Sequence, residues 1–307
     1  MGPDHNGQIQ KGETLMKETT VTRRDFLRGT AGMIMAAGLG APAAGAEDRT
    51  RVVLIRHPKV LGSDGRVEGT ILQQMLDEAV QTLAGEKNPL AAWQRFFKKS
   101  DVVGIKTNVW THLPTPKEME EAIRRRLLEV GIPEAALAVD DRGVRGNPVF
   151  QKSTALVNVR PIRTHHWSGV GSCLKNYIMF VRFPWTYHGE ACSDLGKIWT
   201  LPEVKGKTRL NILVALTPQF YGRGPHSVDR RYFWPYQGLI VGTDPVSVDA
   251  VGAELLRKKR IAFFGEDKEI DVQPIHITAA DKKYRLGPSD LNRIEIIKLG
   301  WQEEVLL

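Results

Sequence analysis

The stretch Leu239-Ile240-Val241-Gly242-Thr243-Asp244-Pro245-Val246-Ser247-Val248-Asp249-Ala250 decides the fold class. It opens on a short apolar run of the length expected for a buried strand. It turns at Gly242 and continues with helical spacing. Asp244 has the residue type and position of a helix N-cap, and Pro245 stands at the first helical position, where a missing N–H leaves no hydrogen bond unmade. Val248, Val251, Leu255 and Leu256 then fall on one face of a helix running from Val246 to about Lys258. A strand passing through a tight turn directly into a helix is the repeating unit of α/β proteins.

Reading outward, the same alternation recurs. Strands are predicted at Arg51–Arg56, Val102–Thr107, Ala135–Val139, Leu210–Leu216 and Arg293–Lys298. Helices are predicted over Val67–Leu83, from Asn88-Pro89 through Phe97, and from Thr115-Pro116 to about Val130, where Gly131 and Pro133 stop it. The expected fold is α/β, a mainly parallel or mixed sheet flanked by helices. Residues 144–206 read as an irregular, loop-rich middle segment that gathers tryptophan, histidine and glycine.

The N-terminus has a different character. Thr22-Arg23-Arg24-Asp25-Phe26-Leu27-Arg28 carries paired arginines, a mildly apolar run follows from Gly29 to Leu39, and Ala44-Gly45-Ala46 offers small residues for cleavage. The run is shorter than the roughly 20 residues that span a bilayer. This order predicts a twin-arginine signal peptide over residues 1–46, with Arg23 and Arg24 read by the twin-arginine translocase. It also predicts a working domain over 47–307 exported folded to the periplasm or another extracytoplasmic space. No second stretch is long and apolar enough for a transmembrane span.

Of 307 residues, 42% are hydrophobic and 25% charged, the proportions of an ordinary globular chain. The net charge of +8 hardly involves the leader, which holds five basic and four acidic residues. A moderately basic domain weakly favours anionic partners, and no nucleic-acid-binding signature accompanies it. The two cysteines, Cys173 and Cys192, could pair in an oxidising compartment but cannot by themselves hold an iron–sulfur cluster. No haem-attachment motif, P-loop or dinucleotide fingerprint is present. Gly222-Arg223-Gly224-Pro225-His226 lacks the last glycine and the strand-to-helix setting that NAD binding needs.

Several segments, in order, resemble the domain-of-unknown-function 362 (DUF362) family. They are Val103-Gly104-Ile105-Lys106-Thr107-Asn108 with the helix after it, Gly169-Val170-Gly171-Ser172-Cys173-Leu174-Lys175-Asn176, Tyr187-His188-Gly189, Gly242 to Ala250, and Tyr284-Arg285-Leu286-Gly287-Pro288-Ser289-Asp290-Leu291. The resemblance spans roughly residues 52–299. It implies an α/β fold and a shared site but no particular activity. Some members carry a cysteine-rich ferredoxin segment, which this chain lacks, and Val214 stands in a strand that often ends on an acidic residue.

The candidate chemistry follows from residue types and placement. Lys106 and Asn108 sit where a strand ends, the side of an α/β sheet that forms ligand crevices, and a cation beside an amide suits a carboxylate or phosphate. The plainer alternative is a surface lysine and a turn-forming asparagine. Lys175 and Asn176 repeat the pair after a glycine-rich stretch, with an exposed lysine at a helix start as the alternative. Lys106, Lys175, His188 and Asp244 are the candidate catalytic residues. Asn108, Asn176, Thr243 and Asp249 are the candidate ligand contacts, although Asp244 also reads simply as a cap, and Asp249 either bonds back to a loop or shares a cation with Asp244. His165, His188 and His226 are candidate ligands for a divalent metal such as zinc or iron, with Asp140, Asp141 and Asp194 as possible carboxylate donors and no metalloprotease-type spacing among the histidines. The expected function is binding of a small anionic ligand, metal or cofactor. The alternative is a non-catalytic accessory subunit with a redox partner in an exported system.

Overall fold

The opening stretch forms a strand, Gly238–Gly242 (β7), and a 20-residue helix, Pro245–Phe264 (α7), in the computed structural model, which describes residues 49–224 and 228–307. Asp244 caps α7 as its residue type predicts, accepting a hydrogen bond from the Ser247 amide at 2.6 Å. Arg23 and Arg24, with the rest of the leader, and His226 lie outside the described residues.

The other strands are Thr50–Arg56 (β1), Val103–Lys106 (β2), Leu137–Asp140 (β3), Ala155–His165 (β4), Gly169–Gly171 (β5), Thr208–Gln219 (β6) and Ile294–Gly300 (β8). They form one eight-stranded sheet in the order β3-β2-β4-β6-β7-β1-β8, with β5 added to β4. The pairs β3–β2, β2–β4, β4–β6 and β1–β8 are parallel, whereas β7 is antiparallel to both β6 and β1. The mixed sheet matches the expected fold class.

Helices cover both faces. Gly69–Ala84 (α1), Pro89–Phe96 (α2) and Lys117–Glu129 (α3) bury Leu72, Leu76, Trp93 and Ile123 against Val53, Ile105, Val157, Ile212 and Val241. On the opposite face α7 and Ile275–Lys282 (α8) pack with Leu54, Leu156, Leu213 and Ile240. Alternation along each strand produces the two cores, because successive side chains point to opposite faces. Among the described residues no helix is long and apolar enough to cross a membrane.

The middle segment is more ordered than its composition suggests. Residues 155–165 form β4, buried along its whole length and paired on both sides. One helical turn, Pro148–Gln151 (α4), precedes β4, and loop-rich structure returns only after the short helix Cys173–Asn176 (α5), in a run of single turns that includes Leu195–Ile198 (α6) and ends at about residue 206. The strand escapes a periodicity reading because Asn158, Arg160, Pro161 and Arg163 interrupt its apolar pattern, and because its register shifts between Pro161 and Arg163.

Candidate functional site

Topology places a crevice beside β2. The chain leaves β2 toward β3 on one side and comes back to β4 on the other, so the strand order reverses there. In open α/β sheets ligands bind at such reversals, outside the carboxyl ends of the strands. A cavity of about 320 Å³ lies there, reached by Asn108 beyond β2, Asp141 beyond β3, and Arg160, Arg163 and His165 on β4. The hairpin from β4 to β5 turns the chain back and delivers Lys175 and Asn176 of α5 to the same cavity, and His188 reaches it from a later turn.

The floor is a polar row built by strand register. Lys106 stands level with Asn158 of β4, Asn158 with Asn211 of β6, and Asn211 with Gly242 of β7. Partners in register present side chains to the same face. The Asn158 amide donates to the Asn211 side-chain oxygen at 3.1 Å and to the Cys173 carbonyl at 3.0 Å, and Asn211 donates to the Thr243 carbonyl at 3.1 Å. Asn176 donates to the Asn158 side-chain oxygen at 2.9 Å and to the Lys106 carbonyl at 3.1 Å.

Lys106 is an interior lysine, 0% exposed, beneath the cavity. Its ammonium donates to the Asp141 carboxylate, to the Thr107 carbonyl at 2.7 Å and to the Asn176 side-chain oxygen at 3.3 Å. Burial is the largest influence on it and lowers its pKa to about 8 against the pull of Asp141. Burial also pushes the Asp141 carboxyl up, but Lys106 and the Val109 amide, which donates to it at 3.0 Å, hold it below the ordinary carboxylate range. The three donors of Lys106 are thus committed within the fold. Of the first Lys/Asn pair, Asn108 faces the cavity.

Above this floor the site is cationic. Arg160, Arg163 and Lys175 are 2%, 3% and 4% exposed, and all three line the cavity. Arg160 donates to the Ser172 carbonyl at 3.1 Å, Arg163 reaches the Asn108 side-chain oxygen at 3.4 Å, and the Arg163 guanidinium lies 4.2 Å over the Trp110 ring. Among the described residues the Nε atoms of both arginines lack a hydrogen-bond partner. Burial lowers the Arg160 pKa to about 10 and that of Arg163 well below its ordinary value, with the charge of Arg160 adding to the effect on Arg163. Lys175 is lowered to about 8 by burial first; the Cys192 thiol, within hydrogen-bonding reach, counteracts this, and the two arginines reinforce it. Gly171 makes room for Arg160, since a Cβ there would stand 2.8 Å from the Arg160 Nη2.

Aromatic and apolar residues complete the wall. The Trp167 and His188 rings stack at 4.0 Å, and Ile178, Met179 and Pro184 line the same side. Burial, then the neighbouring cations, lowers His165, and His188 is lowered to about 4 by burial, then by Lys175 and His166. Both are therefore neutral at pH 7. They share the cavity, but among the described residues no group of three His, Cys, Asp or Glu side chains has the geometry to hold a metal ion.

The remaining candidates lie elsewhere. Asp244 is the α7 cap and Thr243 offers its carbonyl to Asn211; neither lines the cavity. Asp249, inside α7, accepts from the Ser172 hydroxyl at 2.6 Å and from the Cys173 and Leu174 amides at 2.7 and 2.8 Å. It fixes the start of α5 and thereby the approach of Lys175. Of the two readings of Asp249, hydrogen bonding is the one with contacts: Asp249 accepts from the start of α5, whereas Asp244 accepts from the Ser247 amide. Cys173 and Cys192 are both buried and free, not bridged. The arginines of β4 carry no motif; polar residues on one face of a buried strand were their only sequence signal.

Residues 143–254 match the family described as Domain of unknown function (DUF362). The match supports the resemblance read from the sequence, over a shorter span, and it contains Arg160, Arg163, Lys175 and His188 but not Lys106 or Asn108. Comparison with curated proteins and with solved structures gives no match in either case.

Proposed function

We propose that this chain binds a small anionic molecule, a carboxylate or phosphate, in the cavity between β2 and β4. One observation carries the reading: Arg160, Arg163 and Lys175 are nearly fully buried around a cavity in which, among the described residues, the one lining carboxylate is Asp141, already held by Lys106 and the Val109 amide. Asp141 acts on both arginines and Asp249 on Arg160, but each carboxylate is already hydrogen-bonded elsewhere; the buried cations outnumber them, which is costly and favours a ligand that supplies more negative charge. Guanidinium groups suit the planar, two-oxygen face of carboxylate or phosphate. Binding is tested by thermal unfolding with inorganic phosphate and with oxalate. Both should raise Tm in a saturable way, as expected when a ligand binds only the folded state. Arg163→Met should remove most of that response. A rise that is equal in the variant and the wild type would refute this site.

We also propose that the domain works outside the cytoplasm after export by the twin-arginine translocase. The support is Arg23-Arg24 with the apolar run and small-residue site behind it. Changing both arginines to lysine should leave the full-length chain in the cytoplasmic fraction. Continued appearance of the shortened chain outside the cytoplasm would reject the proposal.

A further inference from the structure

We infer that Lys175 is a reactive amine that condenses with the carbonyl group of a small 2-oxo acid held in this cavity by Arg160 and Arg163. The inference rests on the anion-binding reading and adds a covalent step to it. Lys106 and Lys175 show why the assignment falls on one lysine. Lys106 is enclosed by the Asp141 carboxylate, the Thr107 carbonyl and Asn176, and it does not line the cavity. Lys175 lines the cavity and, among the described residues, makes no ion pair with a carboxylate; its charged and titratable neighbours are the Arg160 and Arg163 guanidiniums, the Cys192 thiol and the His165, His188 and His276 imidazoles. A lysine desolvated next to other cations is the arrangement that yields a free amine near neutral pH.

The chemistry balances without an outside oxidant or reductant. Arg160 and Arg163 hold the carboxylate, which places the adjacent carbonyl carbon before the Lys175 Nζ. The nitrogen lone pair attacks that carbon and gives a carbinolamine. The carbonyl oxygen leaves as water with both hydrogens of the amine, and a C=N bond remains. Trp167, Ile178, Met179 and Pro184 form an apolar wall for the rest of a short acid.

The test treats the purified full chain with pyruvate and sodium cyanoborohydride, which reduces the imine to a stable amine, followed by intact mass and peptide mapping. One adduct per chain is expected, at Lys175, exceeding that at any other lysine by about tenfold or more because the carbonyl is held in place. Its yield should climb as pH passes about 8, where Lys175 loses its proton. Acetone, which lacks the carboxylate, should label Lys175 at least about tenfold less. Lys175→Arg should lose the adduct. If that variant fails to fold, excess phosphate must suppress labelling of Lys175 in the wild type while leaving surface lysines unaffected. Label spread evenly over surface lysines, equal labelling by acetone, or no suppression by phosphate would overturn the inference. A rise in Tm with pyruvate but no adduct would overturn it and leave anion binding standing, whereas no rise with pyruvate, phosphate or oxalate would remove the binding reading itself.

Discussion

Arg56 and Arg163 are equally buried, each 3% exposed, yet their surroundings differ. Arg56 lies between two rings, 4.2 Å from the centre of Tyr236 and 4.3 Å from that of Trp301. Its Nε donates to the Tyr236 carbonyl at 2.8 Å and its Nη1 to the Glu303 carbonyl, so it ties β1 to the residues after β8. Arg163 has one ring, Trp110, and one long contact to Asn108, and a second buried guanidinium, Arg160, stands beside it. A buried cation that serves the fold is satisfied by the fold. One that lines a cavity with no spare carboxylate among the described residues is left to an arriving ligand under the proposed function. The contrast separates Lys106 from Lys175 in the same way.

The strongest test of this contrast is at Asp141. Asp141→Asn should destabilise the domain by about 3–5 kcal/mol, because it leaves the interior ammonium of Lys106 without its counter-charge. Adding Lys106→Met should recover most of the loss, since replacing both partners removes the uncompensated charge. Denaturant unfolding of the single and double variants measures both; a double variant no more stable than the single would contradict this account of Lys106. A smaller effect compares the arginines directly. Arg56→Met should cost about 2–3 kcal/mol through lost charged hydrogen bonds and ring contacts. Arg163→Met should change the stability of the ligand-free protein by less than about 1 kcal/mol or raise it, as substitutions that relieve unpaired charge at binding sites do. Equal losses at the two positions would erase the distinction.

Much of the fold was legible because helix and strand periods are strong where one face is apolar. The turn at Gly242–Pro245 and the helices from residues 69, 89 and 117 lie within a few residues of where spacing and caps put them. Strand β4 was not legible, because its polar side chains serve the floor and the cavity instead of a core. The site was legible in part for the same reason. Lys175, Asn176, Asn108, His165 and His188 do meet at one cavity. What separates Lys106 from it is the arrival of Asp141 from the end of β3 and of Asn176 from α5 as its partners, a long-range meeting that no local pattern records. Asp249 shows the limit most clearly. Its spacing from Asp244 suggested a shared role, whereas its partners are the amides of a helix more than 70 residues earlier in the chain.

The position of β1 has a consequence for how this domain comes into being. The strand at residues 50–56 is flanked by β7, at 238–242, and β8, at 294–300. Neither neighbour exists while the first two hundred residues are being made, so β1 waits, unpaired, through most of synthesis. Contacts of such long sequence separation close slowly. The sheet can therefore be completed only after β8 has left the ribosome, and a variant truncated before residue 294 should keep the edge of β1 open and be prone to self-association.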